Sequence, residues 1–272
     1  MLNAAGPGGL SSATPGFAEK LDSLGEYDRA AVEYLRFAYE NPGGEKARWA
    51  FFRAGRSLER ANKFEQAAAV YNEVTSSGVA DSLAGAACYR IALTYFSRGR
   101  LNDVIAYADD ARFDTTCADP LNYLAAWAYF FGRDYPAAES TFFLLEPESF
   151  DSSAGFMVTV SEKGQYLPRR SPFLAASMSA LLPGAGKAYC GRWGDALVNL
   201  VAVAGMLGGA YALWEDDRSF AVGLAISGGI FYGGNIYGSY VGARWFNEEK
   251  HRELYRYARE RVPKRPEELY DY

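Results

Sequence analysis

Two long uncharged runs stand out in the second half of the chain, Ala196 to Trp214 and Ser219 to Ala243. Each is long enough to cross a hydrocarbon layer of roughly 30 Å as an α-helix. Residues 215–218 between them are all charged and form at most a tight polar turn. The pattern predicts a helical hairpin in a membrane. A buried helical pair in a soluble domain remains the alternative, because weakly hydrophobic Gly and Ala supply much of the apolarity.

Residues 17–146 follow a different pattern, in which four segments recur about every 34 to 37 residues. Each segment begins at a turn with an apolar or aromatic residue and has a small or short residue three positions later. An aromatic residue follows four positions further on in three of the four segments. The three sets are Tyr27, Phe64, Leu101 and Tyr135; Ala30, Ala67, Val104 and Ala138; and Tyr34, Tyr71 and Phe142, with Ala108 as the exception.

A second helix is predicted upstream of the last three turns, over roughly 45–60, 82–97 and 120–131. Each of these helices has a small residue where two helices would touch, namely Gly55, Ala92 and Ala126. Small residues let paired helices approach closely, and several pairs must stack before enough surface is buried. The pattern therefore predicts a stacked array of helix pairs.

The turn Gly25-Glu26-Tyr27, with Ala30 behind it, resembles the tetratricopeptide repeat motif, and Gly55 with Ala67 matches it again. The resemblance implies an α-helical solenoid that binds a protein or peptide partner on its concave face. Any other α-solenoid or helical bundle remains the alternative. The packing positions are Tyr27, Ala30, Tyr34, Gly55, Ala67, Tyr71, Ala92, Ala126 and Ala138.

The stretch 147–170 contains Pro147, Gly155 and Pro168, which interrupt the helical period. We interpret it as a linker that leads to the membrane surface, with 156–160 as a candidate extended piece. At its end, Arg169-Arg170 are expected to meet lipid headgroups as a cationic pair.

A short apolar helix is predicted over 173–182, ending at Pro183-Gly184. It is too short to span a bilayer, which favours an interfacial or re-entrant element. The residues that follow superficially suggest a phosphate-binding loop. Nucleotide binding is nevertheless excluded, because Leu181 stands where that loop needs glycine and Ala188 follows the lysine.

The same stretch resembles the Leu-Pro-Gly-x-Gly-x-x-Tyr-x-Gly-Arg motif that precedes two helices in small membrane modules of the TM2 type. The block 231–239 resembles one in uncharacterised bacterial proteins that pair tetratricopeptide repeats with such a hairpin, some of them associated with the membrane-insertion factor YidD. The resemblance implies a bacterial inner-membrane protein and brings no established activity. The matching motif residues are Leu182, Pro183, Gly184, Gly186, Tyr189, Gly191 and Arg192.

Glycines at four-residue steps along the two uncharged runs predict close helix packing, within the hairpin or between copies of the chain in a homo-oligomer. Asn199 and Asn235 lie at or near membrane depth, and each is expected to hydrogen-bond across helices because a buried amide without a partner is costly. The hairpin packing positions are Gly205, Gly209, Gly229, Gly233, Gly234, Asn235, Gly238 and Gly242.

Residues 244–272 are predicted to form a basic juxtamembrane helix and tail beside anionic lipid, with His251 on the solvated face. Basic residues flank the hairpin on its outer sides while its turn is acidic, so the positive-inside rule places both ends in the cytoplasm. The stretch 1–16 is small, Gly/Pro-rich and expected to be flexible, and it lacks the features of a signal peptide. The repeats are expected in the cytoplasm, or in the periplasm if a leader has been omitted.

A net charge of −5 without a basic stripe argues against nucleic-acid binding. The cysteines Cys88, Cys117 and Cys190 are widely spaced, which predicts neither a disulfide framework nor a zinc site. The lone His251 leaves no partner for a catalytic triad elsewhere. We therefore expect no cofactor, no metal and no enzymatic activity.

The sequence thus predicts an all-α protein with a tetratricopeptide-type solenoid over 17–146, a linker over 147–170 and a membrane module over 171–243. The expected function is a membrane-anchored protein–protein interaction scaffold in membrane-protein or cell-envelope assembly. Two rival hypotheses are a subunit of a small transporter or channel, and a soluble helical adaptor.

Overall fold

The computed structural model describes residues 15–111, 118–145 and 152–268, which are helical and contain no strand. This confirms the all-α prediction. Two compact units are present, Met1–Gln165 together with Arg261–Tyr272, and Tyr166–Glu260. In the first unit the helices are α1 Pro15–Ser23, α2 Tyr27–Glu40, α3 Glu45–Arg60, α4 Phe64–Thr75, α5 Ser82–Ser97, α6 Leu101–Ala111, α7 Ala118–Phe131, α8 Tyr135–Phe143 and α9 Ser153–Gln165.

Helices α1 to α8 form four successive helical hairpins, in which each odd-numbered helix packs against the helix that follows it. The predicted helices 45–60 and 82–97 have the bounds observed for α3 and α5. Besides its sequence neighbours, α5 packs against both α3 and α7. These odd-numbered helices therefore form an inner layer, and α5 is buried without interruption from Ala84 to Thr94. The tetratricopeptide assignment itself remains a prediction.

The small and aromatic positions of the repeated pattern lie in the core. Ala30, Ala67, Val104 and Ala138 are fully buried, and so are the aromatic side chains four positions later in three of the four hairpins. Gly55 shows why the position must be small, because a Cβ built there would lie 2.5 Å from Cε1 of Tyr71. These positions of the pattern are therefore buried, and Gly55 lies at a contact between the paired helices α3 and α4.

The linker prediction for 147–170 is wrong over residues 153–165, which form α9 and pack against α8. Residues 156–160, expected as an extended piece, are helical. Ala154, Met157 and Val160 recur at helical spacing and are buried. Gly164 does not break this helix. A Cβ built there would lie 2.6 Å from Cγ of Tyr135, so the glycine leaves room for the tyrosine ring.

The second unit contains α10 Pro172–Leu181, α11 Ala185–Tyr189 and α12 Trp193–Ala212, and most of α13 Arg218–Arg261. Helices α12 and α13 are long and apolar enough to cross a membrane, by length and composition. Only 17% of the most apolar window of each is buried. Large apolar side chains such as Leu197, Val201 and Ile230 are therefore exposed, which is unlike the core helix of a soluble protein.

The predicted boundary between 171–243 and 244–272 is absent, because α13 runs unbroken for 44 residues. At 1.5 Å per residue the helix is about 66 Å long, roughly twice a hydrocarbon layer. The expectation for His251 is also wrong: its side chain is buried, and it shares one face of α13 with buried Leu254 and Ala258. The predicted flexible N-terminus lies outside the described residues up to position 14, and α1 begins at Pro15.

Candidate functional site

The inner helices of the first unit hold a short segment of the same chain, Val262–Glu268, which we call the C-terminal segment. The Tyr89 hydroxyl on α5 donates a hydrogen bond to the carbonyl of Pro266. The Tyr123 hydroxyl on α7 donates to the carbonyl of Lys264 at 2.6 Å. The Lys264 amide donates to Ser153 Oγ, at the start of α9, at 2.9 Å. Helices α5, α7 and α9 therefore each make a hydrogen bond to the main chain of this segment.

Two apolar side chains of the C-terminal segment, Val262 and Pro266, are buried. Arg265 is exposed, and its amide donates to a carboxylate oxygen of Glu268 at 3.1 Å within a short 3-10 helix, Pro266–Glu268. Recognition through main-chain hydrogen bonds is a recurring mode of peptide binding. The site combines such bonds with two buried apolar side chains that are four residues apart.

A buried ion cluster connects α3 to α5 in the first unit. Glu59 Oε2 lies 3.5 Å from Arg90 Nη1 and 3.9 Å from Arg56 Nε. Burial raises the pKa of the Glu59 carboxyl, although both guanidinium groups act in the opposite direction. Because these side chains come from adjacent inner helices, the cluster fixes how α3 lies against α5.

In the second unit, the predicted motif forms a compact turn that joins α10, α11 and α12. Gly184 has φ +88°, and a Cβ there would lie 2.2 Å from the Ala196 carbonyl oxygen. A Cβ at Gly186 would lie 1.9 Å from the carbonyl oxygen of Ala175. Both contacts are with backbone atoms, which cannot rotate away. These two motif glycines are therefore required by close backbone packing.

The other motif residues also have defined places. Pro183 lies in the turn after α10, and Gly191 adopts φ +81° before α12. The Tyr189 hydroxyl accepts a hydrogen bond from the Ser171 amide at 3.3 Å. Arg192 donates from Nε to Asp195 Oδ2 at 2.7 Å, in the first turn of α12. The motif thus organises the entry to the apolar hairpin.

Arg170, predicted to form a cationic pair with Arg169, packs its guanidinium over two aromatic rings. Its guanidinium lies 4.8 Å from the Tyr189 ring centroid and 5.5 Å from that of Phe246. Its amide donates to Asn247 Oδ1 at 2.7 Å, and the Asn247 amide donates back to its carbonyl at 2.9 Å. This stacking ties the start of α10 to α13 within the second unit.

A chain of buried hydroxyls crosses from α11 through α10 to α13. The Gly186 amide donates to Ser179 Oγ at 2.9 Å, and Ser239 Oγ donates to the Asn235 carbonyl at 2.8 Å. The two hydroxyl oxygens are 2.7 Å apart. Since Ser239 already donates to the carbonyl, Ser179 donates to Ser239. Neither serine was singled out from the sequence, because an isolated serine in an apolar run has no distinguishing pattern.

The asparagine prediction is wrong for Asn199, whose side-chain amide donates to the Asp195 carbonyl of its own helix at 2.6 Å. Asn235 is buried as expected. Its side-chain nitrogen and oxygen have no hydrogen-bond partner among the described residues. The expected bond across helices is therefore absent there as well.

The predicted glycine ladders are only partly at helix contacts. A Cβ built at Gly209 would lie 3.3 Å from Cδ1 of Leu224, across the hairpin. One built at Gly228, a position that was not predicted, would lie only 2.8 Å from Cδ2 of Leu207. Gly238 and Gly242 face cationic side chains from the motif segment. The positions with open space at the Cβ are Gly205, Gly229, Gly233 and Gly234.

Within the described ranges, no group of three His, Cys, Asp or Glu side chains is placed to hold a metal ion. Cys88 and Cys190 are buried, and Cys117 lies outside the described residues. No family model, curated protein or solved structure matches this chain.

Proposed function

We propose that this protein is a membrane-anchored scaffold that binds a short segment of a protein partner on the surface formed by α5, α7 and α9. The observation that carries the proposal is the binding of the C-terminal segment through Tyr89, Tyr123 and Ser153. All three contacts are with main-chain atoms, so a foreign segment of suitable shape can make the same bonds.

The second unit supplies the membrane anchor in this proposal. The exposed apolar sides of α12 and α13 favour lipid as their surroundings, since soluble proteins rarely expose such large contiguous apolar surface. Anchoring raises the effective concentration of the scaffold near membrane-bound partners without any new contact. The function fits assembly of membrane or envelope proteins at a bacterial inner membrane, with the repeats in the cytoplasm.

The C-terminal segment acts in this proposal as an intramolecular ligand that a partner displaces. The test uses a chain ending at Arg261 and a fluorescent peptide of residues 262–268, measured by fluorescence anisotropy in detergent. The truncated chain is expected to bind the peptide, and the full chain to bind at least about tenfold more weakly because its own segment competes at high effective concentration.

Removing single hydroxyl groups tests the assigned contacts. Tyr89→Phe and Tyr123→Phe in the truncated chain are each expected to weaken binding about fivefold, the effect of one lost hydrogen bond. Tyr39→Phe is the matched control, because Tyr39 is exposed on α2. Absence of peptide binding, or equal binding by all three variants, would contradict the proposal.

A further inference from the structure

A groove of about 600 Å³ opens on the second unit between the motif segment and α13. Its base is the α13 backbone at Gly238 and Gly242. A Cβ built at Gly238 would lie 3.7 Å from Cε of Lys187, and one at Gly242 would lie 3.7 Å from Nη1 of Arg192. The side chains of Lys187 and Arg192 therefore lie beside α13, at van der Waals distance from these two positions.

The groove has more positive than negative charge. Arg192 is paired with Asp195, whereas the Lys187 ammonium makes no ion pair with any residue in the described part of the chain. Burial lowers the pKa of Lys187 and the charge of Arg192 acts in the same direction, while the charge of Asp195 acts in the opposite direction. An ammonium that is partly removed from water and repelled by a neighbouring cation is stabilised by a bound anion.

The remaining walls are apolar and aromatic. Tyr237, Val241 and Trp245 line the groove and are largely exposed. Trp245 lies two residues beyond the uncharged run of α13, and the motif residues lie just before α12, so the groove is at the end of the hairpin. Tryptophan is enriched at this level of membrane proteins, where headgroups meet acyl chains.

We propose that this groove binds an anionic phospholipid, with Lys187 and Arg192 on the headgroup phosphate and Val241 and Trp245 against an acyl chain. The positive charge of the groove favours an anionic ligand, and its apolar wall favours a lipid over free phosphate. The inference rests on the membrane placement in the proposed function and adds the lipid class.

The test measures lipid binding to the full chain in detergent by native mass spectrometry, with phosphatidylglycerol and phosphatidylcholine titrated separately. We expect tighter binding of phosphatidylglycerol. Lys187→Gln and Arg192→Gln should each weaken it about fivefold, the contribution of one cation near a lipid phosphate. Arg244→Gln is the matched control, because Arg244 is exposed on α13 and does not line the groove. It should leave the preference intact.

Two further arms separate the possible failures. Equal affinity for the two lipids, or an unchanged preference in Lys187→Gln that unfolds at the wild-type temperature, overturns the inference. Competition by glycerol phosphate as effective as by phosphatidylglycerol overturns the lipid assignment in favour of a free-anion site. Release of the chain from membranes by carbonate contradicts the membrane placement itself, whereas retention with equal lipid affinities contradicts only the groove.

Discussion

At the scale of single residues, Asp81 shows how one carboxylate joins two hairpins. It accepts a hydrogen bond from the Ala84 amide at 2.9 Å and so caps the start of α5. It also receives both terminal nitrogens of Arg48 on α3, at 2.6 and 2.7 Å. These bonds to the ionised form, chiefly the one from Arg48, lower the pKa of Asp81 to about 2.

Asp81→Ala is expected to reduce the free energy of unfolding by about 1–2 kcal/mol at pH 7, through loss of the cap and of a charge-assisted pair. Because the folded pKa lies below the unfolded value near 4, the ionic contribution is present above about pH 4 and is lost as the pH falls toward 2. The measurement is denaturant unfolding of the full chain in detergent at a series of pH values.

Two other substitutions separate the contributions of Asp81. Asp81→Asn can still cap the helix, so this variant should lose only the pH-dependent contribution of Asp81 to the free energy of unfolding. Asp28→Asn is the control for an exposed pair with Lys63 at 3.1 Å and should change stability little. A pH-independent difference between the wild type and Asp81→Asn would contradict this assignment.

Gly55 illustrates what the sequence can and cannot indicate at this scale. Its place at a contact between paired helices was predicted from its small size and from the repeat motif that it shares with Ala67. The burial of Glu59 between Arg56 and Arg90 had no such signal. Charged residues on helices are usually solvated, and only the stacking of α3 on α5 encloses these three.

At the scale of elements, the same residue type has opposite roles in the motif and in the hairpin. Gly186 packs against the backbone of α10, whereas Gly234 in α13 has open space where a side chain would begin. The repeated glycine pattern could not distinguish these cases, because it does not indicate which face of a helix meets a neighbour. The folded arrangement makes that distinction.

Gly186→Ala is therefore expected to destabilise the second unit by about 1–3 kcal/mol or more, since the clash is with a carbonyl oxygen that cannot rotate away. Gly234→Ala should be neutral or stabilise α13 by up to about 1 kcal/mol through helix propensity. Thermal unfolding in detergent measures both. Comparable losses in the two variants would contradict this placement, and a specific loss of self-association in Gly234→Ala would indicate contact between copies.

At the scale of the whole molecule, the first unit includes residues on both sides of the second in sequence, since it contains 1–165 and 261–272. If the proposed hairpin crosses the membrane twice, both parts of this unit are expected on one side, as the basic flanks and acidic turn also predict. The side on which the repeats lie remains a prediction.

Cysteines placed in the repeats and in the hairpin turn are expected to be labelled from opposite sides of the membrane. Asn102→Cys and Asp216→Cys place a thiol at an exposed position in each region. They are made in a chain with the native cysteines replaced. In intact cells a membrane-impermeant maleimide should label Asp216→Cys, and Asn102→Cys only after the membrane is opened.

Labelling of both positions in intact cells, or of neither, would contradict a hairpin with cytoplasmic repeats. The reverse pattern would retain the hairpin and place the repeats in the periplasm. Denatured samples of both variants give the full labelling that serves as the control for thiol reactivity.

The sequence by itself determined features that depend on neighbours along the chain. Helical period, turn residues and small-to-large spacing indicated the bounds of α3 and α5, and the lengths of the apolar runs indicated α12 and the first part of α13. The sequence signal failed at α9, where glycine and proline around a short apolar pattern suggested a linker. There, Gly164 packs against Tyr135 instead of ending the helix.

Only the tertiary structure decided the contacts between residues far apart in the chain. The hydrogen bonds of Tyr89 and Tyr123 to the C-terminal segment join positions 177 and 141 residues apart. The cationic groove likewise depends on the motif lying over two particular glycines of α13. Such contacts arise from the path of the folded chain, and local spacing contains no information about that path.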